Sequence, residues 1–171
     1  KDYNGNTISS GTYHYGDEVT PPSDPTRVAD NTYTYAFAGW NNAVVECAGN
    51  ATYTATYTPT YIEYTVVFKD YDGEIISTNT YHYGDTVTAP SNPVREADLV
   101  GTYSFKSWDN AVVACVGDAT YTAIYDMSYI DYTVVFKDYD GDVISTKTYH
   151  YGDSIIVPTN PTREADNTYT Y

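Results

Sequence analysis

The strongest constraint on the fold is an internal repeat. Lys1, Lys69 and Lys137 each open the tripeptide "KDY", so the sequence recurs with a period of 68 residues. Recurrence at a fixed period is typical of tandem arrays, in which each unit folds as a small module and packs against its neighbours. We therefore expect an elongated array of 68-residue units rather than one globular domain.

The unit boundaries follow from the most strand-like segments of the chain. "YIEYTVVF" begins at Tyr61 and "YIDYTVVF" begins at Tyr129, and each would open a unit. We expect a complete unit at 61–128, a unit that lacks its first strand at 1–60, and the N-terminal part of a third unit at 129–171. A sheet that lacks a strand has an unpaired edge, which is a template for pairing with another chain.

Alternating apolar and polar residues predict the strands of the complete unit. They fall at "YIEYTVVFK", "EIISTNTYHY", "TYSFKSW" and "ATYTAIYDM", with "DYDG" as the turn between the first two. The proline after Asn92 suits the first position of a helix, so we expect one short helical turn around "NPVREAD". The apolar stretch "DNAVVACVGD" is compatible with a strand or with irregular structure. The unit is thus mostly β with a small helical component.

Charge excludes several classes of partner. The chain has 23 acidic residues against 8 Lys and Arg, a formal net charge of −15. Such a surface repels the phosphates of nucleic acid and the anionic face of a membrane. We find no apolar run near the ~20 residues that a membrane-spanning helix requires, so we expect no membrane insertion in this segment. Cations and neutral ligands such as glycans remain possible.

The order of the motifs resembles the Listeria–Bacteroides repeat family. The shared features are a "YTVVF" strand, a glycine-containing turn, "YGD" before a proline loop, an arginine before an aromatic strand that ends in tryptophan, and a final "ATYTAIY". The resemblance covers all three units. It implies β-grasp-like modules, arranged in tandem on bacterial cell-surface or secreted proteins as stalk or adhesion segments, mostly without catalytic activity. An extracellular or cell-surface location follows from it as an expectation.

Alternating acids around a glycine form the candidate metal site. Calcium requires six to eight oxygen ligands, and these acids could supply three of them. Asp-Gly and Asn-Gly are equally strong signals for a hairpin turn, and the first unit has Asn at two of the three positions. We therefore expect a turn and no cofactor, with calcium as the alternative. The candidate ligands are Asp70, Asp72, Glu74, Asp138, Asp140 and Asp142.

We expect no enzyme activity. Catalysis by paired carboxylates requires a cleft that separates their pKa values, and a turn at the end of a sheet is exposed. The histidines His14, His82 and His150 recur once per unit between two tyrosines, where we expect them at strand ends and facing solvent or bonded to the backbone. Zinc would need several such ligands to converge.

Three other residue types recur at equivalent positions. Cys47 and Cys115 lie one per unit, too far apart in an array for a disulfide, so we expect two free, buried thiols. Trp40 and Trp108 end the third strand, where they either pack in the core or form a platform for stacking sugars. We expect the arginines at the loop, Arg27, Arg95 and Arg163, to pair with local acids or to cap a carbonyl.

Three functional hypotheses remain. In the first, the chain is part of a non-catalytic stalk, spacer or filament body whose partners are the neighbouring repeats. In the second, it is an adhesion module that binds a host glycan or protein through exposed Tyr and Trp side chains. In the third, incomplete terminal units self-associate by strand addition from another chain.

Overall fold

The computed structural model describes residues 1–164. Within these residues the chain forms eight β-strands and no helix. The mostly-β prediction is confirmed. The strands are β1 (Tyr33–Trp40), β2 (Ala55–Tyr61), β3 (Tyr64–Lys69), β4 (Ile75–Tyr81), β5 (Gly101–Trp108), β6 (Ala119–Tyr129), β7 (Tyr132–Lys137) and β8 (Val143–Tyr149).

The prediction of a helical turn around "NPVREAD" is wrong. Residues 92–98 have no regular secondary structure. A proline pushes the preceding residue towards extended conformations, and here Pro90 and Pro93 lie close together. The stretch "DNAVVACVGD", left open by the sequence, is also irregular, and β6 begins at Ala119, the residue after it.

The strands form three sheets. Strands β1 and β2 form a two-stranded sheet, β7 and β8 form another, and the four-stranded sheet has the order β4-β3-β6-β5. The antiparallel β1-β2 and β5-β6 pairs share one irregularity, between Phe37 and Gly39 in the first and between Phe105 and Ser107 in the second. Equivalent sequence therefore produces equivalent local geometry, one period apart.

The predicted first strand of the unit begins earlier in the sequence than the observed strand β3. We expected it to run from Tyr61, but Tyr61 is the last residue of β2, where it pairs with Tyr33. Tyr129 likewise ends β6 opposite Gly101. These tyrosines belong to the sheet of the preceding repeat because the cross-strand pairing extends that far.

Packing divides the chain into two units that alternate along the sequence. The first comprises Lys1–Phe68, Ser77–Ala89 and Ala111–Tyr121, and the second comprises the remaining segments. In the first unit, Val66 and Phe68 are 1% and 0% exposed, and the Phe68 ring stacks on Tyr121 with a centroid distance of 5.0 Å.

Backbone hydrogen bonds hold an irregular segment in the same unit. The Cys115 N–H donates to the carbonyl of Asp85 at 2.8 Å, and the Cys115 carbonyl accepts from the Gly84 N–H at 2.7 Å. This pairing keeps the Cys115 side chain buried.

The second unit is organised around aromatic rings. Phe105 makes edge-to-face contacts with Trp108 and with Tyr125, at centroid distances of 5.4 and 6.1 Å. Tyr125 makes a further edge contact with Tyr71 at 5.8 Å. Edge-to-face geometry is the favoured arrangement of such rings, so these contacts position the strand β6 side chains against β5 and the "KDY" turn.

Candidate functional site

The acidic motif forms a tight turn in each repeat. In the second repeat the Asp70 N–H donates to the Glu74 carbonyl at 2.8 Å, and the Gly73 N–H donates to the Asp70 carbonyl at 3.0 Å. Gly73 has a φ of 93°, a backbone conformation that residues with a side chain rarely adopt. The same hydrogen bonds recur from Asp2 to Asn6 and from Asp138 to Asp142. The glycine is therefore required by the turn itself.

The candidate metal ligands are engaged by the turn. One Asp70 oxygen accepts from the Tyr71 N–H and from the Tyr125 hydroxyl, both at 2.8 Å. Asp72 accepts from the Glu74 N–H at 3.0 Å. In the third repeat, Asp138 accepts from the Tyr139 N–H at 2.6 Å and Asp140 accepts from the Asp142 N–H at 3.4 Å.

Three carboxylates do not converge at these turns. Residues 1–164 contain no group of three or more His, Cys, Asp or Glu side chains placed to hold a metal ion. Calcium binding stays a prediction that titration can test.

Tyr125 is a residue that the sequence reasoning missed. Its hydroxyl reaches the turn from strand β6, and burial together with the hydrogen bond to Asp70 raises the pKa of Tyr125 to about 12. The raised pKa means that the neutral, hydrogen-bonding phenol is favoured in the folded protein. Tyr125 therefore ties the "KDY" turn to β6.

The recurring arginine lies between two tyrosine rings. We call this arrangement the arginine sandwich: the Arg95 guanidinium carbon lies 4.0 Å from the centroid of the Tyr71 ring and 3.5 Å from that of Tyr103. In the first repeat Arg27 lies 4.5 Å from Tyr3 and 3.5 Å from Tyr35. Stacking of a guanidinium on an aromatic face is favourable and geometrically demanding.

The predicted acid partner of the arginine is present but more distant. Arg95 approaches Asp98 to 3.9 Å. Asp98 is held mainly by other groups, because it accepts from the Tyr103 hydroxyl at 2.7 Å and from the N–H groups of Val100 and Gly101 at 2.8 and 3.0 Å. The Tyr103 hydroxyl and these two N–H groups hold the pKa of Asp98 below its usual value. Asp98 thus fixes the loop that precedes β5.

Each junction between repeats is short and hydrogen-bonded. Only two residues, Ile62 and Glu63, separate β2 from β3. The Ile62 N–H donates to the Thr32 carbonyl at 2.9 Å, and the Tyr64 hydroxyl donates to the Asn31 carbonyl at 2.9 Å. The start of the second repeat is therefore bonded to the loop before β1 of the first.

The next junction repeats this arrangement. Two residues separate β6 from β7, the Ile130 N–H donates to the Val100 carbonyl at 3.1 Å, and the Tyr132 hydroxyl donates to the Leu99 carbonyl at 3.0 Å. Residues one period apart thus make the same two hydrogen bonds, although Leu99 and Val100 replace Asn31 and Thr32. The bonds survive this change because their acceptors are backbone carbonyls.

Two of the three histidines, His82 and His150, lie at these junctions, whereas the His14 side chain is 97% exposed and faces solvent as expected. The His82 ring packs on Tyr61 at a centroid distance of 4.5 Å, and the His150 ring packs on Tyr129 at 4.8 Å. The N–H of each histidine donates to the aspartate three residues later, at 2.7 Å. Sequence reasoning missed this role, although His and its tyrosine partner recur at the same period.

Both tryptophans pack against phenylalanine. Trp40 lies edge-on to Phe37 at 5.5 Å and Trp108 lies edge-on to Phe105 at 5.4 Å. Each tryptophan is half-buried. The role of Trp40 and Trp108 in binding a ligand stays a prediction.

The two cysteines are free, as predicted, but differ in exposure. Cys115 is buried, whereas Cys47 is half-buried, so the expectation of a buried thiol is wrong for Cys47. The physical reason is the difference in the surrounding core: Cys115 belongs to the buried group that includes Val66, Phe68 and Tyr121, whereas none of residues 1–54 is buried.

Comparison with protein families agrees with the repeated architecture. The model of the Listeria-Bacteroides repeat domain matches residues 2–61, 64–114 and 132–167. The chain belongs to this family. The three matches follow one another along the chain, so the chain contains this repeat in tandem.

Other comparisons are more distant. Domains 3-4 of a cell surface protein built from Streptococcal High Identity Repeats in Tandem are similar to 70% of this chain, with 83% of that chain covered, 19% sequence identity and a TM-score of 0.37. At this TM-score the similarity carries no functional information. No curated protein matches the sequence. Residues 1–164 contain no helix with the length and apolar character needed to cross a membrane.

Proposed function

We propose that this chain is a non-catalytic segment of a stalk, spacer or filament body in a bacterial secreted or cell-surface protein. The observation that carries the proposal is the junction: a two-residue link and two hydrogen bonds that recur between successive repeats. Joints that resist bending keep the two ends of a tandem array far apart, and these contacts restrict bending at each joint.

The hydrogen bonds restrict the joint because of where they attach. The link residue and the first strand of one repeat both bond to a loop that the previous repeat holds in place through an aspartate. Asp30 accepts from the N–H groups of Thr32 and Tyr33 at 2.8 Å, and Asp98 does the same one period later. Each bond contributes about 1 kcal/mol, so free rotation at the joint would cost about 2 kcal/mol.

The acidic surface supports the same proposal. A net charge of −15 makes copies and neighbouring repeats repel each other, which favours solubility and an open arrangement. A location outside the bacterial cell is supported by the family to which the repeats belong. The acids that could act as catalytic groups lie at exposed turns and are hydrogen-bonded there, which supports a non-catalytic role.

Small-angle X-ray scattering of the wild-type chain tests the proposal. For the wild-type chain we expect one narrow range of maximum dimensions. This range should broaden when Tyr64→Phe and Tyr132→Phe together remove the hydroxyl donors at both junctions. Tyr15→Phe is the matched control because Tyr15 is 89% exposed. A wild-type profile that already requires an ensemble of widely different dimensions would contradict the spacer function.

Adhesion is the second candidate function. The half-burial of Trp40 and Trp108 at equivalent positions leaves part of each indole open for stacking against a sugar ring. A glycan array probed with the chain, and with Trp108→Ala shown to be folded, tests it. Binding that the substitution abolishes would favour adhesion, and an array without signal would remove it.

A further inference from the structure

Two tyrosine rings meet at one end of the β1-β2 sheet. Tyr33 is the first residue of β1 and Tyr61 is the last residue of β2, and the two lie directly opposite each other in the antiparallel pair. Their ring centroids are 4.6 Å apart and their ring planes are inclined by 44°. We call these two residues the junction pair.

The backbone of Tyr33 explains why the two side chains are close. Its N–H donates to the Asp30 carboxylate at 2.8 Å, and its carbonyl accepts from the Asp30 N–H at 3.1 Å. Both backbone groups are therefore bonded to Asp30 rather than to β2, so the junction pair is a non-hydrogen-bonded cross-strand pair. Side chains approach more closely in pairs of this kind than in hydrogen-bonded pairs.

The hydroxyl groups bring the reactive edges of the two rings together. A hydrogen bond with the Tyr61 hydroxyl raises the pKa of Tyr33. In a tyrosine ring each ortho carbon, Cε, is bonded directly to the carbon that carries the hydroxyl. Contact between the hydroxyls therefore also brings a Cε atom of one ring towards a Cε atom of the other. The His82 ring packs on Tyr61 at a centroid distance of 4.5 Å and restricts its rotation.

Other tyrosine pairs have a different geometry. Tyr3 and Tyr57 are inclined by 85° at a centroid distance of 5.9 Å, and Tyr71 and Tyr125 are inclined by 87° at 5.8 Å. In such edge-to-face contacts the edge of one ring points at the face of the other, so the two ortho carbons are not directed at each other. These contacts are suited to packing, whereas the junction pair is suited to coupling.

The second junction provides a comparison within the same chain. Gly101 takes the position of Tyr33 and lies opposite Tyr129. Tyr61 is 54% exposed and Tyr129 is 59% exposed, so a reagent in solution reaches both rings. Tyr61 has a second phenol opposite it in the sheet, and Tyr129 has a glycine. Coupling to the opposite residue is therefore possible at the first junction and impossible at the second.

We propose that the junction pair is a site of oxidative cross-linking, where a haem peroxidase with hydrogen peroxide joins Tyr33 to Tyr61 as dityrosine. Each hydroxyl gives up one electron and one proton, and together these reduce one hydrogen peroxide to two water molecules. The two phenoxyl radicals combine in a bond between one Cε atom of each ring. The hydrogen on each of these carbons then moves to the phenolic oxygen, which restores both hydroxyls, so the product lacks two hydrogen atoms.

The new bond joins β1 covalently to β2. It closes the loop between positions 33 and 61, which restricts the unfolded chain in the way that a disulfide does. For a loop of this length we expect the equilibrium constant for folding of this sheet to rise on the order of 100-fold. The inference does not depend on the spacer function, because it concerns a chemical modification within one repeat.

Peptide mapping of the oxidised chain is the primary test. The full chain is treated in dilute solution with a haem peroxidase and hydrogen peroxide, then denatured, alkylated at its thiols and cleaved after glutamate. Glu46 is the one glutamate between Tyr33 and Tyr61, so cleavage there separates the two tyrosines. We expect the fragments 19–46 and 47–63 to remain joined, with the mass of two hydrogen atoms missing and with the fluorescence of dityrosine.

Tyr33→Phe removes the phenol and keeps the ring. Phenylalanine forms no phenoxyl radical, so this variant should lose the joined fragments. Tyr35→Phe is the matched control, because Tyr35 lies in the same strand and fragment but its hydroxyl donates to Asp30 at 2.6 Å. The control should keep the joined fragments. Urea denaturation before oxidation checks that both variants are folded, and the same measurement after oxidation should show a raised midpoint in the wild type and in Tyr35→Phe.

Four results would overturn the proposal. Separate fragments in the oxidised wild type would show that the junction pair does not couple. Joined fragments in Tyr33→Phe would place the bond on another tyrosine. Joined fragments that combine isotopically labelled and unlabelled chains would show that the bond forms between copies. A cross-link that leaves the urea midpoint unchanged would contradict the covalent stabilisation of the sheet.

Discussion

The two junctions between repeats have the same hydrogen bonds but different side-chain cover. At the first, Tyr33 packs on Tyr61 at 4.6 Å and Tyr61 packs on His82. At the second, Gly101 occupies the position of Tyr33, opposite Tyr129. The backbone contacts are therefore the constant part of the joint, and the aromatic cover is the part that the sequence varies.

The difference has a steric basis. A Cβ atom on Gly101 would lie 2.6 Å from the Ser128 carbonyl oxygen and 2.9 Å from the Met127 side chain. The second junction is thus too close for a side chain at this position. It has a contact of its own instead, because the His150 ring nitrogen lies 3.1 Å from the Asp131 carboxylate in the link between repeats.

The largest expected effect comes from forcing the second junction to resemble the first. Gly101→Tyr should lower the free energy of unfolding by about 3 kcal/mol, because β5 or β6 must shift to admit the side chain. Urea denaturation measures the change. The reverse exchange, Tyr33→Gly, is the matched control and should cost less, since it removes a partly exposed ring without a clash. Equal costs would show that the two junctions do not differ in closeness.

Removing the shared hydrogen bonds should affect both junctions equally. Tyr64→Phe and Tyr132→Phe each delete a hydroxyl that donates to a backbone carbonyl, so each should cost about 1 kcal/mol. The same denaturation experiment compares the two. Tyr83→Phe controls for loss of a hydroxyl elsewhere. An effect at one junction alone would refute the view that these bonds are the constant part of the joint.

The sequence predicts the repeated parts of this architecture better than the contacts between them. The turns and most strands follow from local alternation and from Asp-Gly pairs, which depend on neighbouring residues. The arginine sandwich joins Tyr71, Arg95 and Tyr103 from three separate segments, so no local pattern indicates it. The same three residue types recur in the first repeat, and that periodic recurrence is the signal that could have identified it.

The junction and the expected helix show the same limit. Tyr64 and His82 looked like ordinary strand residues because their partners, Asn31 and Tyr61, lie in the preceding repeat. The segment around Arg95 carried a helix-start signal, but the extended path that places its guanidinium between two rings excludes a helix. Contacts that form only in the folded chain therefore override the local conformational propensity of these segments.

Alkaline pH should weaken the first junction and not the second, and the loss of stability should be smaller than the losses expected from the substitutions above. The hydrogen bond with the Tyr61 hydroxyl raises the pKa of Tyr33 above its usual value. A raised pKa in the folded state means that the stabilisation is complete below about pH 10 and is lost as pH rises through the folded pKa. Gly101, which takes the position of Tyr33 at the second junction, has no ionisable side chain.

Comparison of wild type and Tyr33→Phe measures this loss. Their stability difference should shrink above about pH 10, whereas Thr102→Ser beside Gly101 should show no such trend. A difference that is constant with pH would exclude the Tyr33–Tyr61 hydrogen bond as its source.

The smallest expected effect is at the histidine of the second junction. Asp131→Asn should reduce stability by about 0.5 kcal/mol or less, since the pair is exposed. Glu63→Gln is the matched substitution in the first junction. Unfolding curves with and without added salt measure the contrast. A larger loss for Glu63→Gln would reverse the assignment of this contact to the second junction.

The proposed spacer function requires a stiff, hydrogen-bonded link between successive repeats. Residual dipolar couplings of backbone amides in β2 and β3, and in β6 and β7, test it most directly. We expect the strands on either side of each link to fit one alignment tensor of the same magnitude in the wild-type chain. Two tensors of clearly different magnitude across either link would show that the repeats reorient independently and would contradict the account.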